Sequence, residues 1–168
     1  MHITVAPRGI LQVDDARITY KNFRGEGTKY NREGDRNFAL IVPDQEQANE
    51  LIEAGWNVRI KPPRVDGDDP FMYLPVKVKF NERGPACYLV SGRNMNRLNE
   101  DSIGCLDDID ILSIDLDIRP YDWGPIGPEQ KYGRTAYLQS IKVTQRVTDR
   151  FAREFEHQHD TPDEDMPF

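Results

Sequence analysis

Short segments in which apolar and polar residues alternate, each ended by Gly, Pro, Asn or Asp, recur through the first 147 residues of this chain. Successive side chains of a β-strand point to opposite faces, so this two-residue period predicts half-buried strands. Phe71–Phe80 shows the alternation most clearly, and Ile109–Ile118 repeats it. One helix is expected after the apolar segment Asn37–Val42, because Asp44 can cap its first turn and Gly55 can end it.

These segments predict six or seven short strands with one inserted helix. Evenly spaced short strands are typical of a sandwich or a small closed barrel. A five-stranded oligonucleotide-binding (OB) barrel with added elements suits the length best, since an immunoglobulin-like sandwich has no place for the helix. The other expected strands are Ile10–Phe23 with an interruption near Asp14, Trp56–Lys61, Ala86–Val90 and Thr135–Val147, and the expected loops are Arg24–Asp35, Pro62–Pro70, Asn96–Asp108 with a helical turn, and Gly124–Gly133.

The chain is expected to divide into a folded body and an acidic tail. Residues 1–147 predict one all-β, OB-fold-like domain. Residues 148–168 carry seven acidic and two basic side chains, a charge of −5, and beyond Glu156 they are too charged and too poor in apolar residues to fold. Arg17–Arg97, with fourteen basic and eleven acidic residues, carries +3. The net charge of −7 therefore does not exclude a body that binds nucleic acid.

Three expected strands place basic side chains opposite their apolar face. In Phe71–Phe80 the rings of Phe71 and Tyr73 share the solvent face with Lys77 and Lys79. Rings stack on bases and ammonium groups meet phosphates, so this face suits single-stranded nucleic acid. The other two strands place Arg59 and Lys61 opposite Trp56, Val58 and Ile60, and Lys21 and Phe23 opposite Ile18 and Tyr20. For any one strand, lysines that keep a sheet edge from aggregating are an alternative interpretation.

The glycine-rich loop that precedes Asn37 adds further candidates. It contains Tyr30 and four cations, Arg36 among them. We expect it to fold over a bound strand, as the first long loop of an OB barrel does. Its three acidic residues keep a mobile surface loop of mixed charge as the alternative interpretation. The candidate DNA-binding residues are therefore Lys21, Phe23, Tyr30, Arg36, Arg59, Lys61, Phe71, Tyr73, Lys77 and Lys79.

A cluster of aspartates suggests an enzymatic function as an alternative to nucleic-acid binding. They are Asp107, Asp108, Asp110, Asp115 and Asp117. Clustered carboxylates can hold two Mg²⁺ ions for phosphoryl transfer, so a metal-dependent nuclease is one alternative. Asp115 and Asp117 alternate with apolar residues, however, which predicts a solvated strand face, and no nearby lysine or histidine completes a nuclease site. All three histidines lie near the ends of the sequence, and no phosphate-binding glycine motif occurs. We therefore expect no enzymatic activity, metal or cofactor.

The most specific motif is the C-terminal hexapeptide Asp163-Glu164-Asp165-Met166-Pro167-Phe168. A terminal Phe offers an aromatic ring and a free carboxylate, and both can dock in one hydrophobic pocket rimmed by Arg or Lys. The preceding acids can steer the approach of such a basic partner. The hexapeptide therefore predicts a partner-binding tip.

This tip resembles that of bacterial single-stranded DNA-binding proteins, which ends in several Asp, an aliphatic residue, Pro and Phe. Short-tailed phages encode single-stranded DNA-binding proteins with similar acidic, Phe-terminated tails. The body here is longer, lacks a Gly/Gln/Pro-rich linker and has a helix after Val42, which favours a phage-type or otherwise divergent member. The resemblance implies an OB body that binds single-stranded DNA in replication, recombination or repair, and a tip, Asp163–Phe168, that recruits partner proteins.

Location and assembly are less constrained. The N-terminus lacks the pattern of a secretion signal, and no apolar run is long enough to span a membrane. We expect a cytoplasmic protein, in the host cytoplasm if a phage encodes it. A homo-oligomer is possible, and a phage structural or adaptor protein whose tail only binds a partner is a further alternative.

Overall fold

The structure is a computed structural model that describes residues 1–147, and it contains one α-helix and ten strands in that range. The predicted tail, residues 148–168, lies outside the described residues. The strands are β1 (His2–Val5), β2 (Leu11–Asp14), β3 (Ile18–Asn22), β4 (Arg36–Ile41), β5 (Arg59–Lys61), β6 (Phe71–Val78), β7 (Ala86–Ser91), β8 (Asn94–Leu98), β9 (Ile111–Ile126) and β10 (Lys131–Gln145). The helix is α1 (Gln45–Glu53), and short 3-10 turns occupy Pro7–Gly9 and Ile103–Asp107.

All ten strands belong to one open sheet, ordered β1-β2-β9-β10-β6-β4-β3 along its main path. Most neighbours are antiparallel, but β10 pairs in parallel with β6 and with β7. β5 adds to β6, and β8 adds to β7. The link between β2 and β3 also reaches β9, because the amide of Ala16 donates to the carbonyl of Ile114 over 2.8 Å. The sheet therefore curls around one hydrophobic core, and the prediction of a β-rich body with a single helix is confirmed.

The alternation in β6 sorts its side chains between the core and the solvent. Met72, Leu74, Val76 and Val78 are all buried, at 5 % relative exposure or less. Inward residues of β2, β4, β9 and β10 complete the same core. The helix also begins as predicted, since the Asp44 carboxylate accepts a 2.7 Å hydrogen bond from the amide of Gln47. Ala48 and Leu51 of α1 are buried against this core.

A β-bulge interrupts β3 and changes which side chains face the core. Thr19 pairs with Ala39 and Asn22 with Asn37, so Tyr20 and Lys21 together oppose Phe38. Tyr20 adopts the left-handed conformation, with φ of 51°. One extra residue inverts the faces of everything that follows it. Tyr20 therefore points outward, whereas unbroken alternation predicts the reverse.

The prediction of a loop over Gly124–Gly133 is wrong. β9 and β10 instead continue as a hairpin whose turn spans residues 127–130. Trp123 pairs with Gly133 across this hairpin, and its indole lies where a side chain at position 133 would be. The missing side chain of Gly133 therefore leaves room for Trp123 to pack across the hairpin. Two further expectations need correction. β5 is shorter than the predicted strand Trp56–Lys61, and β8 occupies the first part of the predicted loop Asn96–Asp108. The helical turn predicted in that loop is present.

Arg134 ties this hairpin to the helix. Its guanidinium donates to both carboxylate oxygens of Asp122, over 2.6 and 3.2 Å, and to the carbonyl of Ala54 over 2.8 Å. It also lies 5.1 Å from the ring centroid of the buried Trp56. The hydrogen bonds from Arg134 hold the pKa of Asp122 below its ordinary value. Among residues 1–147, no helix has the length and apolar character needed to cross a membrane.

Candidate nucleic-acid interface

Three aromatic rings meet on the solvent side of the sheet. The centroid of Tyr20 lies 5.7 Å from that of Tyr73 and 6.2 Å from that of Phe71. The rings of Phe71 and Tyr73 are 5.5 Å apart. Tyr20 is 55 % exposed, and the other two are half-buried. The strand alternation of β6 supplies Phe71 and Tyr73, and the bulge in β3 supplies Tyr20.

Cations surround this cluster. In the β5–β6 register, Arg59 lies beside Tyr73 and Lys61 beside Phe71. The ammonium of Lys61 is 5.8 Å from the Tyr20 ring centroid and donates to the Tyr20 hydroxyl over 3.5 Å. Farther along the strand are Lys77 and, just after it ends, Lys79, both exposed. We call the set Tyr20, Arg59, Lys61, Phe71, Tyr73, Lys77 and Lys79 the aromatic–basic face.

The cations at positions 59, 77 and 79 form no ion pair with any residue in the range 1–147. Within residues 1–147, therefore, no carboxylate is placed to neutralise their positive charge. An array of partly exposed rings bordered by such cations matches the two chemical parts of a nucleotide chain, its flat bases and its phosphates.

The other four predicted DNA-binding residues are placed differently. The prediction for Phe23 is wrong, because the bulge turns its ring into the core, where it is fully buried and stacked 5.3 Å from Phe38. Lys21 donates to the carbonyl of Leu106 over 3.1 Å, which leaves its ammonium part-buried. Arg36 shares the core-facing side of β4 with Phe38 and pairs with Glu100 over 3.3 Å. Tyr30 is 91 % exposed in the loop that follows β3.

A second aromatic and basic group continues this surface, and the sequence reasoning missed it. Tyr137 on β10 pairs with Lys77 on β6. The Arg119 guanidinium lies 4.8 Å from the Tyr137 ring centroid, and Tyr121 meets that ring edge-on at 6.1 Å. Extending the alternation of β9 beyond Ile118 would have found Arg119 and Tyr121. Their position beside Lys77 depends on the parallel β6–β10 pairing, which no local pattern indicates.

The clustered aspartates are engaged by the fold itself. Asp107 accepts hydrogen bonds from the amides of Phe23 and Arg24, each over 2.9 Å, and Asp108 pairs with the Arg24 side chain. The remaining contacts are Asp110 with Arg146 at 3.6 Å, Asp115 with Lys142 at 3.5 Å and with the Asp15 amide at 3.0 Å, and Asp117 with the Ser140 hydroxyl at 3.0 Å. Within residues 1–147, no three His, Cys, Asp or Glu side chains converge as a metal site.

The curled sheet, its single helix and the rings and cations on its solvent side together define an OB-like domain with a candidate nucleic-acid interface. A profile of the family described as "Putative phage ssDNA-binding domain" matches residues 3–165. The chain belongs to this family. A search of curated proteins finds no match.

Solved structures give the same fold. The chain is similar to the single-stranded DNA-binding protein from bacteriophage Enc34, with 14% identity, a TM-score of 0.52, and coverage of 88% of this chain and 87% of that one. Its C-terminally truncated form matches with 16% identity, a TM-score of 0.51, and coverage of 86% and 90%. The Enc34 protein in complex with ssDNA matches with 16% identity, a TM-score of 0.50, and coverage of 88% and 93%. The OB-like fold is therefore confirmed.

Proposed function

We propose that this protein binds single-stranded DNA along the aromatic–basic face, with little sequence preference and without catalysing a reaction on it. The observation that carries the proposal is the cluster of Tyr20, Phe71 and Tyr73 beside cations that form no ion pair within residues 1–147. Family membership and the ssDNA complex of the Enc34 protein support it. The role we propose lies in phage DNA replication, recombination or repair.

The face is long enough for several nucleotides. Phe71 and Lys77 are six residues apart on β6, which corresponds to about 20 Å at ~3.3 Å per residue. Beside Lys77 the surface continues to Tyr137 and Arg119. A stacked strand with about 3.4 Å between nucleotides places roughly six of them along β6. That number lies within the range of about 4–16 nucleotides bound by one OB fold.

A titration of fluorescently labelled oligo(dT) at several salt concentrations tests this proposal. If four phosphates are neutralised, the affinity falls about fiftyfold between 50 and 200 mM salt. Duplex DNA of the same length is the control, and we expect weaker binding to it because its bases are not free to stack. Equal affinity for duplex, or affinity that ignores salt, would contradict the proposal. No affinity for any oligonucleotide would favour the adaptor interpretation.

We also propose that residues 148–168 act as an acidic tail whose tip, Asp163–Phe168, recruits the proteins that act on the bound DNA. The charge of −5 in this segment and the aromatic Phe168 close behind three consecutive acids support the proposal. The family match extends to residue 165, so most of the tail belongs to the family's shared length. The truncation described below tests it.

A further inference from the structure

An open cleft adjoins one end of the aromatic–basic face. It lies between Tyr20 and Phe71 on one side and the loop that connects β5 to β6 on the other, and its volume is about 540 Å³. Small-molecule sites usually measure about 300–1,000 Å³, so a nucleotide base fits within it. The loop contributes Arg64, Asp68 and Asp69 to the lining, and β5 contributes Lys61.

Some groups in the lining attract a nucleotide chain, and others repel it. Two aromatic rings and two cations suit a base and its flanking phosphates. Two carboxylates beside them repel phosphate, so they weaken binding unless they accept hydrogen bonds from the ligand. Among residues 1–147, neither Asp68 nor Asp69 forms an ion pair that would neutralise it. Both carboxylates therefore remain available as acceptors.

We infer that this cleft is a base-selective subsite for a nucleotide whose base carries an exocyclic amino group, with Asp68 and Asp69 accepting from that group. Cytosine presents its N4 amino group where thymine presents the O4 carbonyl oxygen. In a single strand this edge is not covered by a complementary base, so side chains can reach it. A carboxylate attracts the amino group and repels the carbonyl oxygen, so the cleft favours cytosine over thymine.

This inference rests on the proposed function and refines it: binding along the rest of the face stays insensitive to sequence, and the preference arises at this one subsite. One experiment separates the two. The affinities of the full-length protein for oligo(dC) and oligo(dT) of equal length are measured at pH 8 and constant salt. Both oligonucleotides carry the same number of phosphates and a six-membered pyrimidine ring. The ratio of the two affinities therefore reports the chemical groups at the edge of the base. We expect oligo(dC) to bind at least about fivefold more tightly, which is the lower end of the discrimination that one specific base contact supplies.

The double variant Asp68→Asn/Asp69→Asn identifies the source of the preference. Its amides can donate as well as accept, so the ratio should fall towards one while both affinities rise from the loss of negative charge. Asp66→Asn is the matched control, because Asp66 is exposed in the same loop but does not line the cleft. It removes one charge and should leave the ratio unchanged.

Each outcome decides one question. No binding of either oligonucleotide overturns the proposed function. Binding of both with equal affinity by the unaltered protein overturns the base-selective subsite and leaves the proposed function intact. A ratio that persists in the double variant, or that falls equally in Asp66→Asn, also overturns the subsite. Thermal unfolding of each variant verifies that the loop substitutions leave the fold in place.

Discussion

The acidic segment Asp107–Asp117 and the aromatic–basic face carry charge of opposite sign, and they use that charge in different ways. From Asp107 to Asp117, each of the five aspartates meets a backbone amide, a hydroxyl or a cation of the same chain. On the aromatic–basic face, Arg59, Lys77 and Lys79 meet no such counter-charge within residues 1–147. The paired aspartates stabilise or orient the chain itself, whereas the cations that lack a partner within residues 1–147 are available to a ligand.

Removing one ring from the aromatic–basic face should give the largest effect. Tyr73→Ala should weaken oligo(dT) binding by about 1–3 kcal/mol, the usual contribution of one base–aromatic stack. The fold should persist, because the buried residues of β6 are unchanged. Fluorescence titration measures the affinity, and thermal unfolding measures the stability. Tyr88→Ala, which removes a ring that lies under Arg97 instead, is the matched control. A large loss of stability with unchanged affinity would reverse our assignment of the faces.

Neutralising one free cation should give the next largest effect. Lys77→Gln should weaken binding to all sequences alike and reduce the slope of log affinity against log salt by about 0.7, the value for one phosphate contact on a single strand. Lys131→Gln makes the same charge change at the hairpin, where the ammonium pairs with Glu129 at 3.4 Å. A salt series on both variants tests the contrast. If the two slopes fall equally, the free cations have no special role.

Deleting Asp160–Phe168 should produce a moderate effect of opposite sign. The segment carries four acids and no Lys or Arg, so its deletion removes a charge of −4, which we expect to compete with phosphate for the aromatic–basic face. Oligo(dT) should bind more tightly, mainly at low salt, since the competition is screened over about 10 Å at 0.1 M. Partner recruitment should be lost together with Phe168. Deleting Phe168 alone should abolish recruitment and leave DNA affinity nearly unchanged. Weaker DNA binding after truncation would place the tail in the DNA site.

The smallest effect should come from the acidic region. Asp115→Asn/Asp117→Asn should leave oligo(dT) affinity unchanged or slightly raised, because two negative charges are lost. Its cost in stability should be about 1 kcal/mol, because Asn can still accept from the Asp15 amide and the Ser140 hydroxyl, and only the half-exposed Asp115–Lys142 ion pair is lost. Incubation of DNA with Mg²⁺ or Mn²⁺ should give no cleavage by either protein. Metal-dependent nicking that the double variant abolishes would establish the nuclease alternative.

Local interactions explain what the sequence predicts well. The helix and its Asp44 cap depend on residues within one turn of each other, and the faces of β6 follow from an unbroken alternation. Six of the ten predicted DNA-binding residues, those on β5 and β6 or just after, accordingly lie on the aromatic–basic face. The base-contacting role of each remains a prediction.

The errors arise where structure depends on residues far apart in the chain. Tyr137 joins Lys77 through a parallel pairing between strands 60 positions apart, which alternation cannot reveal. The glycines and prolines after Tyr121 predict a loop, whereas the segment forms a hairpin in which Gly133 leaves the space that the Trp123 indole occupies. Composition indicates flexibility in such a segment, whereas cross-strand packing determines its structure.

The bulge in β3 has an evolutionary consequence. Because two residues there oppose one, a single insertion or deletion in β3 exchanges the environments of Tyr20 and Phe23 together. A binding surface can therefore gain or lose an aromatic ring without any codon for that ring changing. Relatives of this chain that differ by one residue in β3 should differ in which aromatic they present to solvent, even where both aromatics are retained. Alignments of such proteins need to respect the bulge before residues are compared across it.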